Sequence, residues 1–190
     1  MSGYHSFPIA LAAGIKLLIL DVDGVLTRGD IIMDEAGEES KAFNVRDGHG
    51  IKMLQRAGID LAILTGRSSS VVAHRARELG FKYVVQGSLR KAEGLERLFA
   101  ESGLNGSDCA YMGDDIVDLP AMAPCRLTLA PADAHLSVLK RVDWVSDYAG
   151  GAGAVRQACE GLILAAGRWP EVVQTPYAVS PADCGWPQHV

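Results

Sequence analysis

The stretch Leu17–Asp30, LLILDVDGVLTRGD, decides how this chain is read. Its apolar run Leu17-Leu18-Ile19-Leu20 ends in two acids one residue apart, Asp21 and Asp23. An unbroken apolar run of that length reads as a strand buried on both faces of a parallel sheet. The carboxyl end of such a strand is where open α/β sheets hold their ligands. Neighbouring carboxylates repel one another and prefer water, so a pair at that position needs a purpose. Either they cap a following helix or they carry chemistry.

The rest of the chain sets bounds. Its 190 residues suit a single domain with a sizeable core, and 48% hydrophobic with 22% charged residues describes a globular protein. A net charge of -5 argues against nucleic acid or an anionic membrane surface as partner. The four cysteines, Cys109, Cys125, Cys159 and Cys184, form no C-x-x-C pair. They read as reduced thiols of a cytoplasmic protein, with Cys109 and Cys125 in core strands. The segment FPIALAAGIKLLIL has the length of a secretion signal. It lacks a basic leading region, is interrupted by Lys16, and runs straight into the acid pair, so it is read as part of the fold. No other run is long and apolar enough to span a bilayer.

Past Asp30 strands and helices alternate. Residues 31–45, IIMDEAGEESKAFNV, read as a protruding β-hairpin turning at Gly37, with Asp34–Glu39 as its solvated tip. A helix is expected from Asp47 to Gly58, then the strand IDLAILTG and a helix over SSSVVAHRARELG stopped by Gly80. The strand FKYVVQG, the helix LRKAEGLERLFAESG, the strand DCAYMGDD and a short helix IVDLPAMA follow, and CRLTLA, AHLSVLKRV, DWVSD and GAVRQACEGLILAAG complete the series. The alternation predicts an α/β fold of right-handed βαβ units: a three-layer, Rossmann-like, mostly parallel sheet. Residues 1–168 read as one domain. Four of the eight prolines fall within 170–190, so residues 169–190 read as an irregular tail.

In a parallel sheet the carboxyl ends of the strands share one edge. Asp21 and Asp23, Thr65 and Arg67 of ILTGR, and Asp114 and Asp115 of YMGDD therefore meet in one pocket, with Lys91 opening the next helix within reach. Clustered carboxylates without nearby His or Cys suit Mg²⁺. Metal, lysine and hydroxyl around a free carboxylate fit phosphoryl transfer, because they neutralise the charge on the phosphoryl and leaving oxygens. One carboxylate can attack phosphorus and form an aspartyl phosphate. The turn at Gly24 can bring Asp23 over the same pocket, to protonate the leaving oxygen and then activate water. His49 and His74 read as surface or packing residues. GGAGAVR lacks the Lys-Ser/Thr of a P-loop and reads as a turn opening the last helix.

The segments DVDGVLT, LTGRSS, Lys91 and GDDIVD, in that order, resemble the four motifs of the haloacid-dehalogenase-like phosphatases. The resemblance covers roughly residues 17–167. It implies Asp21 as nucleophile and metal ligand, and Asp23 as acid/base that ligates metal through its backbone carbonyl. It further implies Thr65 and Lys91 on the phosphoryl group and Asp114 as the remaining metal ligand, with Asp115 and Asp118 in support. By the same resemblance Asn44, Val45, Arg46, Asp47 and Gly48, with Lys52, Arg67 and Arg75, contact a sugar-acid phosphate. Ala152 stands where close relatives carry Arg in a G-G-R-G segment. A phospho-receiver module also combines acids, Thr and Lys on a parallel sheet. The strand after Thr65 ends in VVQG, without an acceptor Asp, which disfavours that reading; a non-catalytic sugar-acid binding protein of the same fold is disfavoured because all the catalytic residues are present.

Many proteins of this kind cover the pocket with a cap domain, and the gaps between these motifs hold none. An open pocket suits a small polar ligand poorly. The apolar hairpin is suited to a partner, and the resemblance implies a homotetramer with active sites at subunit interfaces; a protein-sized substrate in an open site is the other possibility.

Overall fold

The computed structural model describes residues 3–187. Short turns α1 (Gly3–Ser6) and α2 (Ile9–Ala12) precede β1 (Leu17–Leu20), which is followed by β2 (Ile32–Met33) and β3 (Glu39–Ser40). Next come α3 (Val45–Arg56), β4 (Asp60–Leu64), α4 (Ser70–Leu79), β5 (Tyr83–Val85), α5 (Lys91–Ser102) and β6 (Cys109–Met112). The series closes with α6 (Leu119–Met122), β7 (Leu127–Ala130), α7 (Leu136–Leu139), β8 (Trp144–Val145), α8 (Ala154–Ala165) and α9 (Thr175–Tyr177).

Six strands form one parallel sheet in the order β5-β4-β1-β6-β7-β8. The fold is thus the three-layer Rossmann-like architecture expected from the alternation. All four residues of β1 are fully buried. Leu18 and Leu20 pack with Ile51, Leu54, Val155 and Leu162 of α3 and α8, whereas Leu17 and Ile19 pack with Leu95 and Leu98 of α5 and Met122 of α6. A strand with both faces in core carries no polar alternation, which is why LLIL is uninterrupted. The chain winds outward from β1 through β4 to β5, then crosses back to β6. The order reverses between β1 and β6, and the crevice at such a reversal is where ligands bind.

The hairpin is smaller than expected. Only Ile32–Met33 and Glu39–Ser40 pair, in antiparallel register, and Val45 already belongs to α3. The helix expected from Asp47 starts two residues earlier because Asn44 caps it, its side chain accepting from the Arg46 amide at 2.8 Å. Phe43 is not a free apolar face of the hairpin, since it packs against the core of α3 and α8. Cys109 lies in β6 as expected, whereas Cys125 is buried in the turn before β7; no cysteine is paired.

Residues 169–187 carry short helical turns at Pro170–Gln174, Thr175–Tyr177 and Ala182–Cys184 between loops. Trp169, Val172, Val173 and Trp186 insert into the core. Trp186 donates its indole N–H to the buried Glu160 carboxylate at 3.0 Å. No helix among the described residues is long and apolar enough to cross a membrane.

Candidate active site

Two neighbouring strand ends, β1 and β6, deliver the acids, and β4 delivers Thr65. The β1–β6 ladder runs on past β1, with the Asp21 amide donating to the Met112 carbonyl at 3.1 Å, so Asp21 is held at the tip of the central strand. Gly24 then turns the chain with φ of +86°. A Cβ there would sit 2.1 Å from Asp114 Oδ2, so only glycine lets the β1 and β6 loops close on each other. Gly24→Ala is expected to cost about 1–2 kcal/mol in urea unfolding from the positive φ alone. It should also push Asp114 aside and weaken Mg²⁺ affinity. Unchanged Mg²⁺ titration in a folded variant would refute that packing argument.

A cavity of about 400 Å³ opens here, lined by Asp21, Asp23, Thr65, Arg67, Lys91, Asp114 and Asp115. Arg28, Leu89, Val117 and Asp133 also line it, and none of these four stood out in the sequence. Asp21, Thr65 and Lys91 are all nearly buried. Lys91 Nζ lies 2.8 Å from Asp21 Oδ2 and 2.5 Å from Asp118 Oδ1. Burial pulls the Lys91 ammonium toward neutrality, but Asp21 and Asp118 outweigh it and its pKa rises.

Asp118 is fully buried and fully engaged. It accepts from Lys91 and from the Tyr111 hydroxyl at 2.8 Å, and from the Asp114 and Asp115 amides at 3.2 Å each. It therefore ties the lysine, β6 and the acid loop together. One carboxylate oxygen from each of Asp21, Asp114 and Asp118 lies within 4.8 Å of the others.

The two acids at the strand ends are held well above the usual carboxylate range despite Lys91. Burial, then the Asp118 charge, lifts the Asp21 carboxyl to about 6 against the pull of Lys91. Burial, then Asp21 and Asp118, lifts Asp114 to about 7. Two buried oxygens, Asp21 Oδ1 and Asp114 Oδ1, have no hydrogen-bond partner. Orphaned carboxylate oxygens in an all-oxygen cluster are what a hard divalent ion requires, and Mg²⁺ fits.

Other expected residues stand elsewhere. The Asp47 carboxylate accepts from the amides of Gly153 (3.3 Å) and Arg156 (2.8 Å), capping the start of α8. Asn44, besides capping α3, donates to the Gly151 carbonyl at 3.2 Å. GGAGAVR is accordingly a turn opening α8, fixed from α3. Arg75 lies over the Phe43 ring at 5.7 Å and pairs with Glu78 at 2.9 Å, beside an open groove that includes Val45 and His74. Gly48 backs onto the Arg75 guanidinium, and Arg46 lines a separate cleft with Ala152 and Arg156. Lys52 lies near Gly80. His49 bonds Tyr177 and Arg156 on the helical side. Of the eight expected substrate contacts outside the motif residues, only Arg67 lines the Asp21 cavity within one chain.

Lys41 escaped the sequence reading. Its ammonium lies 2.5 Å from Asp23 Oδ1, and its side chain is 2% exposed. A single lysine in a charged hairpin gives no periodic or spacing signal that would single it out.

A family model described as haloacid dehalogenase-like hydrolase matches residues 44–125. The 3-deoxy-D-manno-octulosonate 8-phosphate phosphatase KdsC of Escherichia coli (strain K12) is 45% identical over 163 residues, covering 86% of this chain and 87% of that protein. The chain belongs to the haloacid dehalogenase-like hydrolase family. Among solved structures of such hydrolases, the 3-deoxy-D-manno-octulosonate 8-phosphate phosphatase of Yersinia pestis is 44% identical with TM-score 0.83, covering 86% of this chain and 88% of that one. The enzyme of the same name from Moraxella catarrhalis, in complex with magnesium ion, phosphate ion and KDO, is 39% identical with TM-score 0.85, covering 88% and 96%.

Proposed function

We propose that this hydrolase cleaves 3-deoxy-D-manno-octulosonate 8-phosphate to the free sugar acid and inorganic phosphate, through an aspartyl phosphate on Asp21 and with Mg²⁺ as cofactor. The observation that carries the reading is the pair of orphaned oxygens on Asp21 and Asp114 beside Lys91. They combine a nucleophile, a cation site and a phosphoryl-binding ammonium in one cavity. The relatives above carry the same activity in their names, which supports this choice of substrate.

In this reading Asp21 attacks phosphorus, the P–O bond to the sugar breaks, and Asp23 gives its proton to the departing oxygen. Asp23 then takes a proton from water as the water oxygen attacks phosphorus and releases Asp21. Thr65 and Lys91 hold the phosphoryl oxygens. Asp21, Asp114 and the Asp23 main-chain carbonyl would hold Mg²⁺, which, when bound, neutralises charge on the transferring group. Asp115 and Asp118 hold the loop. A phosphate-release screen across sugar, nucleotide and amino-acid phosphates with Mg²⁺ tests the substrate. A preference for any ester without a carboxylate overturns it; another acidic sugar phosphate, such as a nonulosonate 9-phosphate, would correct only the sugar.

We further infer that the protein works in the cytoplasm as a homotetramer in which a neighbouring copy completes each site. Two observations support this. Ile31, Ile32 and Met33 form an exposed apolar row on the hairpin, 63%, 47% and 60% exposed. Arg46, Lys52 and Arg75 lie outside the cavity of their own chain, where a neighbour could use them. Arg offers a carboxylate a two-pronged match. Ile32→Asp is expected to dissociate the assembly in light scattering and to lower activity on the sugar phosphate about tenfold or more, sparing a small ester. A fully active wild-type monomer would break this link. Arg75→Ala should raise KM for the sugar phosphate more than for a carboxylate-free ester.

A further inference from the structure

We propose that Lys41 is a positioning residue that holds the proton donor in place, a role that rests on the reading of Asp23 as acid/base. The Lys41 ammonium lies 2.5 Å from Asp23 Oδ1, and the lysine side chain is 2% exposed. Lysine heads are almost never buried unless paired, because the charge loses its water. Here the partners are Asp23 and, at 3.4 Å, Glu39. Glu39 in turn accepts from Arg67 at 2.6 Å, and Arg67 lines the cavity. The hairpin thus reaches the cavity through one chain of charges, Asp23–Lys41–Glu39–Arg67.

The consequence is geometric. The Asp23 side chain is 25% exposed, so without a tether its carboxyl could turn toward water. Lys41 fixes one carboxyl oxygen, Oδ1, leaving Oδ2 to carry the proton to the departing oxygen. A donor held in line contributes in the transition state, whereas a donor free to turn toward water contributes little. The hairpin has only two paired residues on each strand, so its own hydrogen bonds do not explain why Lys41 is buried. A lysine that served the hairpin alone would gain more by reaching solvent.

The test uses aryl phosphates from p-nitrophenyl to phenyl, which share size but differ in leaving-group basicity. kcat/KM is the readout, because it reports formation of the aspartyl phosphate. Nitrophenolate departs without a proton; phenolate needs one more. Lys41→Met is expected to lower kcat/KM about 100-fold on phenyl phosphate and about tenfold or less on the nitrophenyl ester. Lys41→Arg should recover part of the loss. The double variant Asp23→Asn/Lys41→Met should be no slower than Asp23→Asn alone. The rise in Tm on adding Mg²⁺ should survive in Lys41→Met.

Equal loss across the series, or a further loss in the double variant, would overturn the proposal and leave Asp23 as the acid. An Asp23→Asn variant without leaving-group dependence would overturn the reading of Asp23 and the tether with it. If Lys41→Met does not fold, the slope of Lys41→Arg across the same series decides.

Discussion

Replacing Asp21 by Asn is expected to lower turnover on the order of 10⁴-fold or more while the fold survives. The amide keeps the shape of the carboxylate but offers phosphorus no nucleophilic oxygen anion. The two carboxylates clustered with Asp21 are not placed to substitute. Asp118 is bound by Lys91, Tyr111 and two amides, and Asp114 stands in the loop beyond the neighbouring strand β6. The fold is expected to hold because Asp21 lies at the end of β1, outside the packed run Leu17–Leu20. Lys91 keeps Asp118 as its counter-ion in the variant.

Stability should move opposite to activity. In the metal-free protein Asp21 is a buried acid set against Asp118 and Asp114, and its carboxyl is lifted to about 6. Removing one charge from that cluster relieves repulsion. The Tm of Asp21→Asn in EDTA should equal or exceed that of wild type. Rapid acid quench after mixing with labelled substrate should leave phosphate on wild-type protein and none on the variant. Turnover within a few-fold of wild type would sink the nucleophile assignment.

The fold was legible because its signals are strong and local. LLIL, LAIL and CAYM are short apolar runs that end at Asp21, Thr65 and Gly113, and the helices between them stop at glycines such as Gly80 and Gly103, both left-handed. Strand ends of a parallel sheet share an edge, so the sequence alone brings Asp21, Thr65 and Asp114 together. What stayed hidden depends on how loops lie against one another. Lys41 meets Asp23 only because the hairpin folds back on the β1 loop. Arg28 and Asp133 reach the cavity from loops whose paths no periodicity encodes. Asp47 looked like a substrate contact, yet its oxygens face the amides opening α8, a pairing over 100 residues apart. Trp169 and Trp186 sit among prolines, which signal turns but say nothing about where the aromatic rings between them are buried.

Removing the divalent cation with EDTA is expected to silence the enzyme, and restoring Mg²⁺ to recover it and to raise Tm by an amount that depends on pH. The metal-free cluster binds protons more tightly folded than unfolded. Asp21 and Asp114 sit at about 6 and about 7, against about 4 for an unfolded carboxyl. A raised carboxyl contributes its stability fully below the unfolded value and loses it as pH rises through the folded value. The metal-free protein should therefore weaken between about pH 4 and 7. A cation occupying the orphaned oxygens takes the place of those protons. The Mg²⁺-induced rise in Tm should be small at pH 5, grow through pH 7, and level off by about pH 8. Asp114→Asn should abolish most of the increment, because it removes the negative charge that a divalent cation needs on that ligand. Ca²⁺ should raise Tm as well but support turnover poorly, since its longer, looser coordination would displace the attacking oxygen. Full activity in EDTA would refute the metal requirement. An equal increment at pH 5 and pH 8 would instead show that the cation does not compete with protons on Asp21 and Asp114, and would move its site away from them.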